Sequence, residues 1–306
     1  MSKYVIPDLK GIDEKVERDL EVIRSSILDI YGDSISSIIL CGGFGRGEGS
    51  IIEGVPFNDY DIVLISKKRI PKKELKSLGT ELAKRIGIRF VDLGVVTDVS
   101  KLQLSVFSFD LKNSKVIYGK DVLEKLPTFN SEDISVDEGV KLLRNRIICF
   151  LELTPDGFLD QRPINENEHR LLVLQVSKAV IAASIAELIL KRRYVSSYNE
   201  QKRLQSDSLI IKAYDVKLGL VDPITVDPYK YWIDSIEYFL SVFDNYPQGS
   251  TQSNLFRNIL KLIILREPFH LESSLRKVEE WAVKIIRSGS DKGKDACIKE
   301  WERVHH

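Results

Sequence analysis

Two aspartates stand one residue apart at the mouth of an apolar run, Asn58-Asp59-Tyr60-Asp61-Ile62-Val63-Leu64-Ile65. Residues i and i+2 of a strand point to the same face, so Asp59 and Asp61 present their carboxylates side by side. Two like charges that close repel, and each is driven towards protonation unless a cation lies between them. Magnesium meets that need, because it takes hard oxygen ligands and shares them with substrate phosphates. Just upstream, Gly42, Gly43, Gly45, Gly47 and Gly49 strip the side chains from a turn that follows a strand. Bare backbone N–H groups in such a turn can approach an anion closely. Together the two features imply a metal–nucleotide site.

A third carboxylate would complete a two-metal arrangement. Asp92 is the candidate, since it interrupts the otherwise apolar strand Arg89-Phe90-Val91-Asp92-Leu93-Gly94-Val95-Val96. A lone charge in such a strand is costly without a partner. Asp98, in the loop expected after the strand, is the alternative. Two familiar phosphate loops do not fit the glycine turn. A P-loop starting at Gly42 needs Lys and Ser/Thr after Gly47, where Glu48 and Gly49 stand. A dinucleotide fingerprint fails as well, ending on Glu48 from Gly43 and on Ser50 from Gly45.

The elements that must hold these residues follow from periodicity. Ile12, Val16, Leu20, Ile23, Ile27 and Ile30 predict a helix over 12–31. Strands are expected at 36–40, 61–66 and 88–96, with 115–119 a fourth or an edge strand. A helix with Pro71 in its first turn separates the second and third strands. From about residue 133 the pattern changes to helices over 135–153, 168–192, 198–218, 227–244, 252–266, 271–288 and 291–304, with prolines at their edges. The expectation is an α+β protein, with an α/β domain over 1–130 and an all-α helical bundle over 131–306. A cleft between them is the natural place for a ligand.

Composition bounds the partners. The 306 residues, 43% of them hydrophobic, can bury a large core, and Lys plus Arg equals Asp plus Glu at 45 each. Cut at residue 130, the chain carries 20 basic and 19 acidic residues before and 25 and 26 after. Neither part has the basic excess of a nonspecific nucleic-acid binder, which weighs against a long nucleic acid as partner. Cys41, Cys149 and Cys297 are too widely spaced for a zinc site or disulfide framework and fit a reducing compartment. The N-terminus lacks the pattern of a signal peptide. The apolar run 171–190 carries Lys178 and Glu187 and reads as a buried bundle helix rather than a membrane span. A cytoplasmic protein is expected.

The combination of Gly42-Gly43, the Asp59/Asp61 pair and Asp92 resembles the nucleotidyltransferase domain of the DNA polymerase β superfamily. The resemblance covers roughly residues 36–97. Its spacer is long, with 15 residues from Gly43 to Asp59, and the extra length falls on Gly49-Ser50-Ile51-Ile52-Glu53-Gly54-Val55-Pro56-Phe57. The serine often found at the second glycine position is absent.

The resemblance implies nucleotidyl transfer. Asp59, Asp61 and Asp92 would hold two Mg2+ ions and a nucleoside triphosphate, ATP by default because it is abundant. An acceptor hydroxyl would attack the α-phosphorus and pyrophosphate would leave. Asp92 is the nearest candidate base. Gly42, Gly43 and Arg46 would lie on the phosphates, Arg46 at the β or γ position, the competing reading being an ion pair with Glu48 or Glu53. By analogy with related terminal nucleotidyltransferases, Lys178, Ser197 and Tyr198 would also hold phosphates. The balanced charge favours a small-molecule or protein hydroxyl as acceptor. The competing class is a noncatalytic nucleotide-binding regulatory or antitoxin-like protein.

Lesser signals remain. Arg144 and Arg146 are further phosphate candidates. Arg162 and His169 have a spacing similar to that of HEPN ribonucleases, against which a chance spacing is far commoner. His270 beside Pro268 reads as a core or loop histidine, and His305 and His306 enter no site argument.

Overall fold

Ile12, Val16, Leu20, Ile23 and Ile27 form the buried stripe of α1 (Ile12–Tyr31). Ile30, expected on that stripe, lies exposed, while Leu28 and Tyr31 on either side of it pack against the core. The computed structural model describes residues 2–57, 59–158, 160–247, 272–288 and 290–305. The helix expected over 252–266, Pro268, His270 and His306 lie outside the described residues.

A four-stranded mixed sheet carries the first unit. Its strands are β1 (Ile35–Leu40), β4 (Asp59–Ser66), β5 (Phe90–Val96) and β6 (Lys115–Gly119), in the order β5-β4-β1-β6. β1 pairs antiparallel with β4 and β6, whereas β4 and β5 run parallel. Parallel neighbours need a crossover, which α3 (Lys72–Ile86) supplies. Pro71 is its N-cap residue rather than part of its first turn. The long spacer after the glycine turn, α2 (Gly42–Arg46), folds as a small hairpin of β2 (Ile51–Ile52) and β3 (Val55–Pro56).

The two faces of the sheet have separate duties. Tyr60, Ile62 and Leu64 of β4, with Val91 of β5, turn towards α1 and α3 and join the main core. Val63 and Ile65 turn the other way, against Ile39, Leu111, Val122 and Leu126. Alternation therefore puts Asp59 and Asp61 on this second face, away from α1 and α3.

The second unit comprises residues 135–191 and 223–306. In it α6 (Glu166–Leu190) packs against α5 (Val136–Leu153) and α9 (Pro228–Asn245). Both α10 (Glu272–Ser288) and α11 (Lys294–His305) pack on α5. By length and composition α6 could cross a membrane, but 89% of its apolar window is buried, the placement of a bundle's central helix.

The division differs from the single boundary expected at residue 130. Residues 192–222 return to the first unit, bringing α7 (Tyr198–Arg203) and α8 (Ser208–Lys217) with them. Polar bonds, one part-buried and one buried, hold them there. Asn113 Nδ2 donates to Ser196 Oγ at 2.7 Å, and Lys217 Nζ donates to Ser50 Oγ at 2.7 Å. The single helix expected over 198–218 is two helices, because Asp207 caps a new one by accepting from the Leu209 amide at 2.7 Å.

Candidate active site

The parallel register of β4 and β5 sets Asp61 directly beside Asp92. Asp59, two residues back on β4, shares their face. One carboxylate oxygen from each of Asp59, Asp61 and Asp92 lies within 4.8 Å of the others. Tyr60 between them points the opposite way and donates its hydroxyl to Asp19 Oδ2 of α1 at 3.0 Å. That buried bond fixes the rotation of β4, and so the outward aim of its neighbours. Three hard, anionic oxygens held this close repel one another and suit a divalent cation such as magnesium.

The glycine turn is shaped around one of these carboxylates. Gly42 has φ +61, and a Cβ placed on it would sit 1.9 Å from Asp61 Oδ2. Only glycine fits here on both counts. The amide after β1 helps as well: Cys41 N donates to the Asp61 carbonyl at 2.8 Å. Gly43 is buried, and a Cβ there would meet the Glu48 carbonyl at 2.8 Å, so its small size serves packing of the turn. Asp98 takes no part in the trio. It caps a short 3-10 turn, accepting from Ser100, and pairs with Lys101 at 3.4 Å, which leaves Asp92 as the third carboxylate.

A cavity of about 270 Å³ opens beside Asp61 and Asp92 within the first unit. Its walls include Val63, Gly94, Phe107 and Leu111, with Arg46 and Asp110 set into them. The Arg46 guanidinium lies between two carboxylates, 3.2 Å from Asp110 and 3.5 Å from Glu48, and only 6% of the side chain is exposed. The Tyr198 ring packs on it at 4.8 Å. Glu48 in turn accepts from Ser197 Oγ at 2.7 Å, from the Tyr198 amide at 2.8 Å and from the Asn199 amide at 3.0 Å. Tyr194 donates to Asp110 at 2.7 Å.

The electrostatics follow burial. Desolvation pushes the Asp110 carboxyl up to about 6, with Arg46 and the Tyr194 hydroxyl opposing it. Burial pushes the Cys41 thiol up to about 12 and raises the Tyr194 phenol. Arg46 is buried too, but the acidic and phenolic groups around it hold it charged.

Several residues expected on phosphates are engaged within the protein. Arg46 forms an ion pair with Glu48, a buried one rather than a surface one, and a second with Asp110. Ser197 and Tyr198 anchor Glu48, and Ser197 also caps α7. Lys178 lies half-buried on α6 of the second unit. Arg144 pairs with Glu279 at 3.5 Å. Arg162 pairs with Glu168 at 3.0 Å, while His169 Nε2 donates to the Val226 carbonyl at 2.7 Å.

Asp110 and Tyr194 are the site-lining and supporting residues that sequence reasoning missed, whereas Glu48 was expected as a partner of Arg46. Asp110 sits on α4 (Val106–Leu111), whose capping box joins Ser105 and Ser108. The Ser-x-x-Ser spacing before an apolar run was the available signal. A scan against protein-family models finds no match for this chain, and no curated protein matches it.

Proposed function

We propose that this chain is a magnesium-dependent nucleotidyltransferase of the polymerase β type, moving a nucleoside monophosphate, with ATP as donor, onto a hydroxyl and releasing pyrophosphate. The observation that carries the reading is the convergence of the Asp59, Asp61 and Asp92 oxygens within 4.8 Å, on adjacent strands beside a glycine turn. Asp59, Asp61 and Asp92 would hold two magnesium ions, which would supply charge neutralisation for the triphosphate and for the oxygens entering and leaving phosphorus. Gly42 supports the site by leaving room for the Asp61 carboxylate. The acceptor oxygen attacks the α-phosphorus and its proton passes to the Asp92 carboxylate. The bond to the bridging oxygen breaks, its electron pair leaving on pyrophosphate. Arg46, Glu48 and Asp110 hold the turn and α4 in place around this face.

The test is incubation of the full chain with each α-labelled nucleoside triphosphate, magnesium, and mixtures of small alcohols or cell-extract proteins. Metal-dependent transfer of label with pyrophosphate release, abolished in Asp61→Asn, is expected. Nucleotide binding that ignores both the metal and the Asp59→Ala and Asp61→Ala substitutions would point instead to a regulatory binding protein.

A further inference from the structure

The cavity beside the carboxylates holds information about the acceptor. At about 270 Å³ it falls below the roughly 300–1,000 Å³ of sites that enclose whole drug-sized ligands. It can take a fragment, not a nucleoside triphosphate. Charged phosphates are disfavoured in its depth as well, because the Asp110 carboxylate shares the wall with Arg46 and already pairs with it. Arg46 is paired with Asp110 and Glu48, and Tyr194 donates to Asp110. The Cys41 thiol donates to the Ile39 carbonyl at 3.7 Å.

Gly94 is the informative wall residue. It stands inside β5, paired with Val63, two residues along from Asp92. A glycine in a strand interior costs stability, and it often marks a close approach by a ligand or another backbone. No such backbone is present here: a Cβ on Gly94 would meet nothing nearer than Val63 Cγ2 at 3.8 Å and the Ile62 carbonyl at 3.9 Å. Its φ also lies outside the left-handed region. Neither packing nor conformation demands glycine, so the space it leaves belongs to the cavity. Phe107, 47% exposed, lines the same cavity.

We infer that this cavity seats the acceptor, and that the acceptor is a small alcohol or phenol with an uncharged aromatic or aliphatic body. Its hydroxyl lies at Asp92 and its body lies over Gly94, against Phe107 and Leu111. One strand step of two residues separates the two, roughly 6.6 Å, a span suited to such a molecule. A nucleobase fits less well, since ring nitrogens and carbonyls set against Val63, Gly94, Phe107 and Leu111 would cost about 1–3 kcal/mol for each one left unpaired. The acceptor role rests on the nucleotidyl-transfer reading; the cavity's preference for apolar alcohols does not.

The test uses 2-phenylethanol as probe and erythritol as a polar control, on the full chain with MnCl2 and a nonhydrolysable ATP analogue. Binding is read by saturation-transfer NMR and titration calorimetry. The wild type binds 2-phenylethanol and not erythritol. Gly94→Val, which fills the cavity from an unstrained position, weakens the alcohol by about tenfold or more and leaves Mn2+ and analogue binding unchanged. Phe107→Ala, at a half-exposed position, weakens it too, and serves should Gly94→Val fold poorly. The inference is overturned if the wild type ignores 2-phenylethanol, if both variants bind it normally, or if Gly94→Val weakens the ATP analogue instead. Failure of the nucleotidyl-transfer reading shows separately, as absence of Mn2+-dependent analogue binding to the wild type.

Discussion

Replacing Gly42 by alanine tests whether the glycine turn exists to accommodate the Asp61 carboxylate. At φ +61 an L-residue pays about 1–2 kcal/mol for the left-handed conformation. The new Cβ would stand 1.9 Å from Asp61 Oδ2, roughly 1.5 Å inside contact distance. The carboxylate is the movable partner, and driving it off its rotamer adds about 0.5–1.5 kcal/mol. The sum, about 1.5–3.5 kcal/mol, should lower Tm by roughly 3–14 °C in a unit of this size. Losing one ligand of three should weaken Mn2+ by at least about tenfold, or 1.4 kcal/mol. Calorimetric unfolding with and without Mn2+, together with direct Mn2+ titration, reads both effects. A Gly42→Ala protein that stays folded and keeps wild-type Mn2+ affinity would refute the reasoning, because the displaced carboxylate would then be irrelevant to the metal.

Other consequences follow from the same geometry. Glu48→Ala leaves Arg46 with one carboxylate instead of two and removes the acceptor for Ser197 and two α7 amides, so a loss of about 3–5 kcal/mol is expected in denaturant unfolding; a loss below 1 kcal/mol would contradict the buried network. The Asp110 carboxyl, raised to about 6 in the folded state, binds its proton more tightly there than in the unfolded chain. Its contribution is therefore fully present below about 4 and is lost as pH rises to about 6, at roughly 1.4 kcal/mol per pH unit. Over that window Asp110→Asn should gain on the wild type by that slope, and parallel stability–pH curves would dismiss the assignment. Asp98→Ala should leave Mn2+ affinity unchanged within about twofold, while Asp92→Ala should weaken it at least about tenfold, both read by titration calorimetry.

The carboxylate face was legible because its signals are local. Alternation along β4 put Asp59 and Asp61 on one face, and a charge inside an apolar run marked Asp92. The parallel register that joins Asp61 to Asp92 is not local, yet strand order and a connecting helix constrain it. The partition of the chain was less legible. Ser197 and Glu48 are 149 positions apart, and helical periodicity reports which face is apolar, not which unit that face packs upon. For the same reason Ser197 and Tyr198 read as phosphate ligands when their partner is a buried glutamate. The break between α7 and α8 depends on a single cap at Asp207, which a continuous helical pattern masks. Asp110 was hidden by the shortness of α4, too few residues for periodicity to register.

Anomalous diffraction from crystals of the full chain, grown with Mn2+ and a nonhydrolysable ATP analogue, addresses the central claim most directly. The account predicts manganese peaks within about 2.5 Å of the Asp59, Asp61 and Asp92 oxygens, with triphosphate oxygens completing the coordination. Manganese absent from these three side chains while the analogue is bound elsewhere would contradict it.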